Sequence, residues 1–568
     1  MARIASDRDG ENLVVHPLHA PLLITYREDL ARIIAELLPT GRWAPGRAYL
    51  CLAQKRSGGY RELVFPGLVD IIVGRCIIDA LEPMITHDDG TRTFCGRSHA
   101  SSHRSFGDYE RWFEMWRSYS AKVAAAAADA GFTYVFDTDV ADFFPSVDRT
   151  RAREFLATRT GAHASVLALL FSCLEAWLPR INYAQMTGLP IENNDVSRLV
   201  AHNYLKQVDS AFVGRADCIY LRYVDDTVIF APSEKAAREL KRKHHLALRA
   251  VGLNPNAAKS DVLRASVFEA RRQREFNEKI DQAAAAKDAT QIAALATDWR
   301  SRRDEDGWEP VMKRLYSVGR QFRVPCLRSV VASDVVESPT LADHALSYLA
   351  RFDVTRAEAE TLLRVVKGAD VPPDVDIRLA RFLCDAVFAE AVSEKIANMA
   401  VLRIEREEVD HGLGYAKGLW LLALHKHGKR AHRERLLKWA SLEKLVDEQF
   451  RLHFMYVFSA VGELPKDLDQ PLRHLGTSDI ELTVRCCDDA ASGRLAHRDK
   501  VLRRIARSVN GRRTIAARYL PLLRVMIKAE NWRSDNLRWL RRQLDPKRRP
   551  ECAVVKAFLE RLADDLSA

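Results

Sequence analysis

The stretch from Leu221 to Phe230 constrains this chain more than any other, because two adjacent carboxylates separate two apolar runs. The runs are rich in β-branched and aromatic residues, a pattern that predicts two strands joined by a tight turn. Asp225 and Asp226 then lie at the tip, where their charges repel and a divalent cation would remove that cost. Because Asp is also common in ordinary turns, the pair alone is as consistent with a structural hairpin as with a metal site.

A second acidic segment lies upstream, where the predicted strand Thr133–Val140 runs into Asp139. Two-metal phosphoryl transfer needs carboxylates that converge from separate strands, so that both ions can be bridged at a separation of about 3.5–4 Å. A strand that ends in Asp139, beside a hairpin that carries Asp225 and Asp226, meets this requirement.

Size and composition narrow the class of protein. A chain of 568 residues predicts two to four domains, and its net charge of +11 favours a polyanionic partner. The sequence has no apolar run of about 18 residues and no apolar signal core at its start, so we expect a cytoplasmic protein without a membrane partner. The ten cysteines lack CxxC or Cys/His metal spacing, which favours reduced thiols.

The character of the chain changes near Val262. Residues 1–265 mix strand-like and helix-like patterns, whereas residues 266–568 show helical periodicity in successive pairs, which predicts an α+β fold followed by an all-α, HEAT-like repeat domain. The expected strands are Tyr60–Phe65, Thr133–Val140 and the Cys218–Phe230 hairpin, and the expected helices of the first part are Arg27–Leu38, Leu68–Met84 and Ser120–Ala130. The expected helix pairs are Leu341–Ala350 with Ala357–Val366, Ile377–Phe388 with Ser393–Ile404, and Tyr415–His427 with His432–Trp439.

The segment Lys500–Pro550 is rich in arginine and also carries aromatic residues. It is either a solvated helix face or a surface that tracks phosphates and stacks bases. Under the second interpretation the nucleic-acid-binding residues are Arg541, Arg542, Arg548 and Arg549.

The acidic segments are part of an ordered series of motifs. Asp139-Val140 with Phe143-Phe144, and Tyr223-Val224-Asp225-Asp226, resemble motifs A and C of reverse transcriptases. Between and around them lie segments similar to motif B, to motif D and to the fingers motifs of that family: Gly188-Leu189-Pro190-Ile191 with Ser197-Arg198-Leu199, Gly252 to Ser260 with Lys259, Gly59 to Pro66 with Arg61, and Thr93 to Ser98.

Two departures from the common family pattern stand out. Pro190-Ile191-Glu192-Asn193-Asn194 replaces the usual Pro-Gln-Gly and is similar to the pattern of abortive-infection (Abi) and other defence-associated reverse transcriptases. Asp70-Ile71 stands where Asp-Arg is usual.

The resemblance implies a right-hand finger–palm domain in residues 1–265 and a role for each matched residue. Asp139 and Asp225 would bind two Mg²⁺ ions, or Mn²⁺ as an alternative, together with the carbonyl of Val140, while Asp226 supports the site. Phe144 would exclude a 2′-hydroxyl, Arg61 would grip the triphosphate and Lys259 would protonate pyrophosphate. The remaining nucleotide-site residues are Asp142, Gly188, Pro190 and Ser197. The plainer alternatives are a core aromatic for Phe144, a surface arginine for Arg61 and a solvated lysine for Lys259.

A helical region in place of a thumb is similar to the Abi-type enzymes. That resemblance implies an RNA-directed DNA polymerase of phage defence that uses dNTPs, often as a homo-oligomer. Synthesis would be protein-primed and untemplated, or templated by a noncoding RNA, and Tyr26, Tyr49, Tyr316 and Tyr415 are all candidate primers. The alternatives are a retroelement polymerase of the retron or group II intron kind, and a nucleic-acid-binding scaffold with a relic palm.

Overall fold

A computed structural model describes most of the chain from residue 48 to residue 439, with a few isolated residues on either side. Within that span the residues left undescribed are 56–57, 82–83, 86–92, 95–111, 182–183, 186, 193–194, 369–370, 389 and 406–412.

A five-stranded sheet lies at the centre of the N-terminal half, with the strand order β10-β4-β9-β8-β3. All neighbouring pairs are antiparallel except β3 and β8, which run parallel. The strands are β3 (Thr93–Phe94), β4 (Tyr134–Thr138), β8 (Ile219–Tyr223), β9 (Asp226–Ala231) and β10 (Asp261–Arg264).

Helices cover both faces of this sheet, because its central strands are apolar on both sides. The helices of this part of the chain are α2 (Trp112–Ala128), α3 (Phe143–Ser146), α4 (Arg149–Thr160), α5 (Ala164–Ala176), α6 (Val196–Asp209), α7 (Glu234–Ala250) and α8 (Ala265–Arg271). Val135 packs in a cluster with residues of α2 and α8, whereas its neighbour Phe136 packs in a separate cluster with residues of α6 and α7.

A smaller sheet precedes the central one, formed by the hairpin β1 (Tyr49–Gln54) and β2 (Tyr60–Phe65) with β7 (Ile191–Glu192) parallel to β2. Helix α1 (Leu68–Leu81) follows, and the short pair β5 (Arg180–Ile181) and β6 (Ala184–Gln185) lies apart. Asp70 in α1 is buried and accepts hydrogen bonds from the indole of Trp177 and the amide of Gly46. Asp70 therefore links the segment before β1 to the end of α5.

After α8 the described chain contains only α and 3-10 helices, and they form two rows. We call this region the helical array: α9 (Arg274–Ala286), α10 (Ala289–Arg300), α11 (Trp308–Phe322), α12 (Val331–Glu337), α13 (Ala342–Leu349), α14 (Arg356–Gly368), α15 (Pro373–Asp385), α16 (Glu390–Glu405), α17 (Leu413–His427) and α18 (Arg430–Trp439). Helices α11, α13, α15 and α17 contact one another in succession, and so do α12, α14 and α16.

The helical array packs directly on the β1–β2 hairpin. Cys51 and Phe65 belong to its hydrophobic cluster, and the ring of Phe65 stacks on that of Tyr415 at 6.4 Å. The amide of Gln54 also donates to Asp374 at the start of α15. The array is thus continuous with the hairpin that carries Arg61.

Most expected elements are present with shifted ends. The three expected helix pairs correspond to α13–α14, α15–α16 and α17–α18, and the expected hairpin is β8–β9. The sequence-based prediction missed the strands β1 and β10 and the helices α4, α5 and α7, and it began α2 at Ser120 although the helix begins at Trp112. The expected helix Arg27–Leu38 lies mostly outside the described residues. Among those described, no helix has the length and apolar character needed to cross a membrane.

Candidate active site

Strand register brings the three predicted catalytic aspartates to one end of the central sheet. Tyr223 pairs with Asp226 across the hairpin, which leaves Val224 and Asp225 as a two-residue turn. Thr138, the last residue of β4, lies opposite Thr227 of β9. The next position on each strand brings Asp139 beside Asp226. We call Asp139, Asp225 and Asp226 the carboxylate cluster.

Desolvation and neighbouring carboxylates raise the pKa values of Asp225 and Asp226 in this cluster. Desolvation raises the pKa of Asp225 to about 7, and the charges of Asp226 and Asp139 add to the effect. The pKa of Asp226 is also raised, first by desolvation and then by Asp139, although Lys259 opposes the shift. Asp137, two residues before Asp139, has a pKa raised to about 6 by desolvation. The described cations therefore leave the cluster short of positive charge.

Asp139 is held by the loop that follows α7. Its backbone carbonyl accepts from the amide of Asn256 at 2.9 Å, and Val140 forms a bridge with Pro255. Its Oδ2 accepts from the Lys259 ammonium at 2.5 Å, whereas its buried Oδ1 has no hydrogen-bond partner among the described residues. Partial burial acts to lower the pKa of Lys259, but the hydrogen bond and charge of Asp139 raise it overall.

The predicted motif B turn packs against the segment that follows Asp139. Gly188 has φ of +79°, and a Cβ there would lie 2.1 Å from the carbonyl oxygen of Pro145, so only glycine fits. The amide of Leu189 donates to the carbonyl of Phe144 at 2.8 Å, and Pro190 is buried behind it. This contact fixes the position of the half-buried Phe144, whose ring lies 5.3 Å from that of Phe143.

The other predicted nucleotide-site residues lie at different depths. Arg61 is exposed on β2, and its charge lowers the pKa of both Asp225 and Asp226, so it lies in the neighbourhood of the cluster. Asp142 has φ of 40° at the start of α3, and Lys55 donates to its carboxylate. Ser197 is 1% exposed, and its Oγ has no hydrogen-bond partner within the described part of the chain. A direct contact between Ser197 and a nucleotide would need a change in its surroundings.

Sequence reasoning missed a set of aromatic and cationic residues beside the cluster. Trp116 of α2, 37% exposed, contacts the ring of Tyr223 edge-on at 5.1 Å. The guanidinium of Arg272 lies 5.9 Å from the rings of Trp116 and Tyr119, and its charge lowers the pKa of Asp226 and of Asp137. Trp116 and Arg272 lie outside the motifs, so spacing alone gave no signal for them.

A buried arginine supports the turn from the other face of the sheet. Val224 has φ of 55°, a conformation that costs a β-branched residue about 1–3 kcal/mol. Arg222 is 1% exposed and donates through Nη1 to the carbonyl of Val224 at 2.6 Å. It also donates to both carboxylate oxygens of Asp209, at the end of α6.

The donor set of the cluster fits a hard divalent cation. Carboxylate and carbonyl oxygens are the ligands that Mg²⁺ prefers, and the unpartnered buried Oδ1 of Asp139 is an acceptor that a cation would satisfy. As they stand, no three His, Cys, Asp or Glu side chains among the described residues are close enough to hold a metal ion. The Lys259 ammonium bonds to Asp139 where a cation would bond, so metal binding would require this ion pair to open.

The structure describes one of the four predicted nucleic-acid contacts of the C-terminal segment. Arg542 is exposed on a helix, and Arg541, Arg548 and Arg549 lie outside the described residues.

Two of the candidate primers are enclosed by the helical array. Tyr316 is fully buried and donates to Asp334 at 2.6 Å, and Tyr415 is 6% exposed. Neither hydroxyl is available in this conformation, Tyr49 is half-buried on β1, and Tyr26 lies outside the described residues.

Comparisons with known proteins gave structural similarities at low identity. No family model and no curated protein matches the chain. The telomerase of Candida tropicalis, in complex with a TWJ fragment of telomeric RNA, is 10% identical with a TM-score of 0.30 over 64% of this chain and 67% of that one. The apo telomerase of the same organism is 11% identical, with a TM-score of 0.31 over 63% of this chain and 72% of that one. The telomerase of Candida albicans, also in complex with a TWJ fragment of telomeric RNA, is 10% identical, with a TM-score of 0.30 over 70% of this chain and 64% of that one.

Proposed function

We propose that this chain is a reverse transcriptase-type DNA polymerase that transfers deoxynucleotides to a hydroxyl primer. The observation that carries the proposal is the carboxylate cluster: Asp139 after β4, and Asp225 and Asp226 in the β8–β9 hairpin, lie at one end of the central sheet, and desolvation and mutual repulsion raise the pKa of Asp225 to about 7. A structural sheet has no reason to concentrate acids in this way.

The chain's own residues suit the steps of such a reaction. Asp139, Asp225 and the carbonyl of Val140 would hold the two Mg²⁺ ions, which supply charge neutralisation at the reacting phosphate and activation of the primer hydroxyl. Asp226 supports the site from the adjacent position. Arg61 lies on the β1–β2 hairpin, close enough for its charge to lower the pKa of Asp226, and its forked guanidinium suits a triphosphate.

Phe144 is the residue that we assign to sugar selection. Its backbone carbonyl accepts from the amide of Leu189, which ties the position of its Cα to the Gly188 turn. Replacing Phe144 with Ala is expected to raise ribonucleotide use at least tenfold, measured as the ratio of kcat/KM for rNTPs and dNTPs. Phe171→Ala is the control, because it removes an aromatic ring from α5 in the same hydrophobic cluster but outside the predicted nucleotide site. An unchanged ratio for Phe144→Ala would remove the gate role.

The biological setting follows from the sequence resemblance. We propose a role in phage defence, with a noncoding RNA template or untemplated, protein-primed synthesis, and with a homo-oligomer as the working form. The two rows of helices support the proposal, because the Abi-type enzymes that the sequence resembles carry helical repeats after the palm.

One experiment tests the chemistry and its setting together. Purified protein is incubated with Mg²⁺ and dNTPs, and any product is sequenced and treated with protease. Product from the wild type but not from Asp225→Asn supports the polymerase; a repeated sequence copied from co-purified RNA identifies a template, and a protease-sensitive 5′ end identifies a protein primer. No product with any primer or template would favour the nucleic-acid-binding scaffold.

A further inference from the structure

The turn that carries Asp225 is built on an unfavourable backbone conformation. The two residues between β8 and β9 are Val224 and Asp225, and of these Val224 alone has a positive φ, of 55°. A positive φ at the first central residue alone is the pattern of a type II′ turn, in which glycine is preferred at that place. Relaxation of Val224 to negative φ would rotate the chain that enters Asp225.

Two hydrogen bonds hold Val224 in this conformation. Its amide donates to the carbonyl of Phe94 on β3 at 2.9 Å, and its carbonyl accepts from Nη1 of Arg222 at 2.6 Å. Because both backbone polar groups are bonded to other elements, a rotation of Val224 would break at least one of these bonds.

Arg222 is itself fixed by a buried acid. Its Nε donates to Oδ1 of Asp209 at 2.7 Å, and its Nη2 donates to Oδ2, so the pair is bidentate. The hydroxyl of Tyr220 donates to the same carboxylate at 2.6 Å. Arg222 and Asp209 are 1% and 2% exposed, and a forked guanidinium held in this way has little freedom to move.

These contacts join two parts of the predicted active site. Asp209 lies at the C-terminal end of α6, the helix that follows the Gly188 turn, and Arg222 lies in the strand that leads to the carboxylate cluster. The position of α6 is therefore transmitted through one ion pair to the residue before Asp225.

We infer that Arg222 is a positioning residue for the polymerase reaction: anchored by Asp209, it holds Val224 in its left-handed conformation and so sets the place of Asp225. The inference rests on the proposed function for its kinetic effect. Arg222 does not touch a substrate; it acts through the backbone of the turn.

The first test removes the Arg222–Asp209 ion pair and then relieves the backbone strain at Val224. The double variant Arg222→Met/Asp209→Leu replaces both charges with apolar groups, which avoids an unpaired buried charge. Its kcat is expected to fall about 10- to 100-fold with the KM for dNTP changed less than about threefold, as for other partners that only orient a reacting group. Adding Val224→Gly should recover at least fivefold of that loss, because glycine adopts positive φ without strain.

A matched pair in the helical array serves as the control. Asp334 accepts from both Arg300 and Tyr316, as Asp209 accepts from Arg222 and Tyr220. Arg300→Met/Asp334→Leu should leave kcat per folded molecule unchanged. An unchanged kcat in Arg222→Met/Asp209→Leu, or a loss that Val224→Gly does not relieve, would overturn the inference.

A second measurement needs neither activity nor the double variant. In Arg222→Lys the charge stays near Asp209 but the fork is lost, and amide exchange in the peptide 219–231, followed by mass spectrometry, should quicken at least tenfold while that of 134–138 stays unchanged. Exchange as slow as in the wild type would overturn the inference whether or not the enzyme is active. If the wild type makes no DNA yet exchange quickens, the proposed function fails and the positioning contact stands.

Discussion

Acidic side chains have opposite surroundings in the carboxylate cluster and at Asp334 of the helical array. In the array, Asp334 is fully buried and accepts from both Arg300 and Tyr316. In the carboxylate cluster, Asp139 leaves one buried oxygen without a partner among the described residues, and Asp225 has a pKa raised to about 7. Paired acids stabilise a fold, whereas acids held together without enough positive charge indicate a site that binds a cation or a substrate.

The region of the central sheet contains both paired acids and acids that lack enough positive charge. Asp209 is as buried as Asp334 and is likewise paired with an arginine and a tyrosine. It therefore belongs with the paired acids, and its contribution to function passes through Arg222. Burial alone does not distinguish the two kinds of acid; the number of donors around each carboxylate does.

The largest expected effect is the loss of synthesis in Asp225→Asn. The amide cannot replace a carboxylate ligand, so the rate of dNTP incorporation should fall about 1,000-fold or more, as when a principal electrostatic group is removed. Incorporation of labelled dNTP is the measurement. Asp217→Asn, which removes an exposed ion pair with Arg215 just before β8, is the matched control and should retain the rate. Normal incorporation by folded Asp225→Asn would show that the carboxylate cluster is not the catalytic site.

Asp334→Ala is expected to give the opposite result. The substitution removes the acceptor of Tyr316 and of Arg300, whose side chain is 29% exposed and can be partly rehydrated. The free energy of unfolding should fall by about 2–3 kcal/mol, measured by urea denaturation. The incorporation rate per folded molecule should stay the same. A stable Asp334→Ala protein with little activity would place a functional acid in the array.

A smaller effect with a distinctive sign concerns pH. Because the folded-state pKa of Asp225 is raised, its contribution to stability is complete below about pH 4 and is lost as the pH rises through about 7. Without metal, the stability of Asp225→Asn relative to the wild type should therefore increase between those values. A difference that does not vary with pH would show that Asp225 is not in a desolvated, repulsive setting.

Glu358 of the array should show the reverse dependence. Desolvation acts to raise its pKa, but hydrogen bonds from Arg328 and Thr355 lower it overall. Its contribution is present above the ordinary pKa and is lost as the pH falls through the lowered value. Glu358→Gln should consequently be less stable than the wild type at neutral pH, and the deficit should shrink in acid. Denaturation curves at matched pH values compare the two variants directly.

Strong local patterns were enough to predict much of this fold. The β8–β9 hairpin and the helix pairs α13–α14, α15–α16 and α17–α18 follow from apolar periodicity, which is a property of neighbouring residues. Strand β10 was missed because four residues, Asp261–Arg264, are too short to show an alternation. The elements were therefore more predictable than their ends.

The candidate site was predictable only in its residue types. The motifs indicated Asp139, Asp225 and Asp226, but the ion pair of Asp139 with Lys259 and the bond from Arg222 to Val224 depend on contacts that no local pattern encodes. Register, burial and the direction of a guanidinium arise from tertiary packing. The same limit explains why Ser197 was assigned to the nucleotide although its side chain is buried.

The most direct test of the account is the thermal stability of wild type and Asp225→Asn, each with and without Mg²⁺. If the acids of the cluster repel one another and together bind a cation, Asp225→Asn is more stable than the wild type without metal. Mg²⁺ then stabilises the wild type much more than the variant. An Asp225→Asn protein that is less stable without metal, and a wild type that Mg²⁺ does not stabilise, would show that the cluster is an ordinary acidic turn.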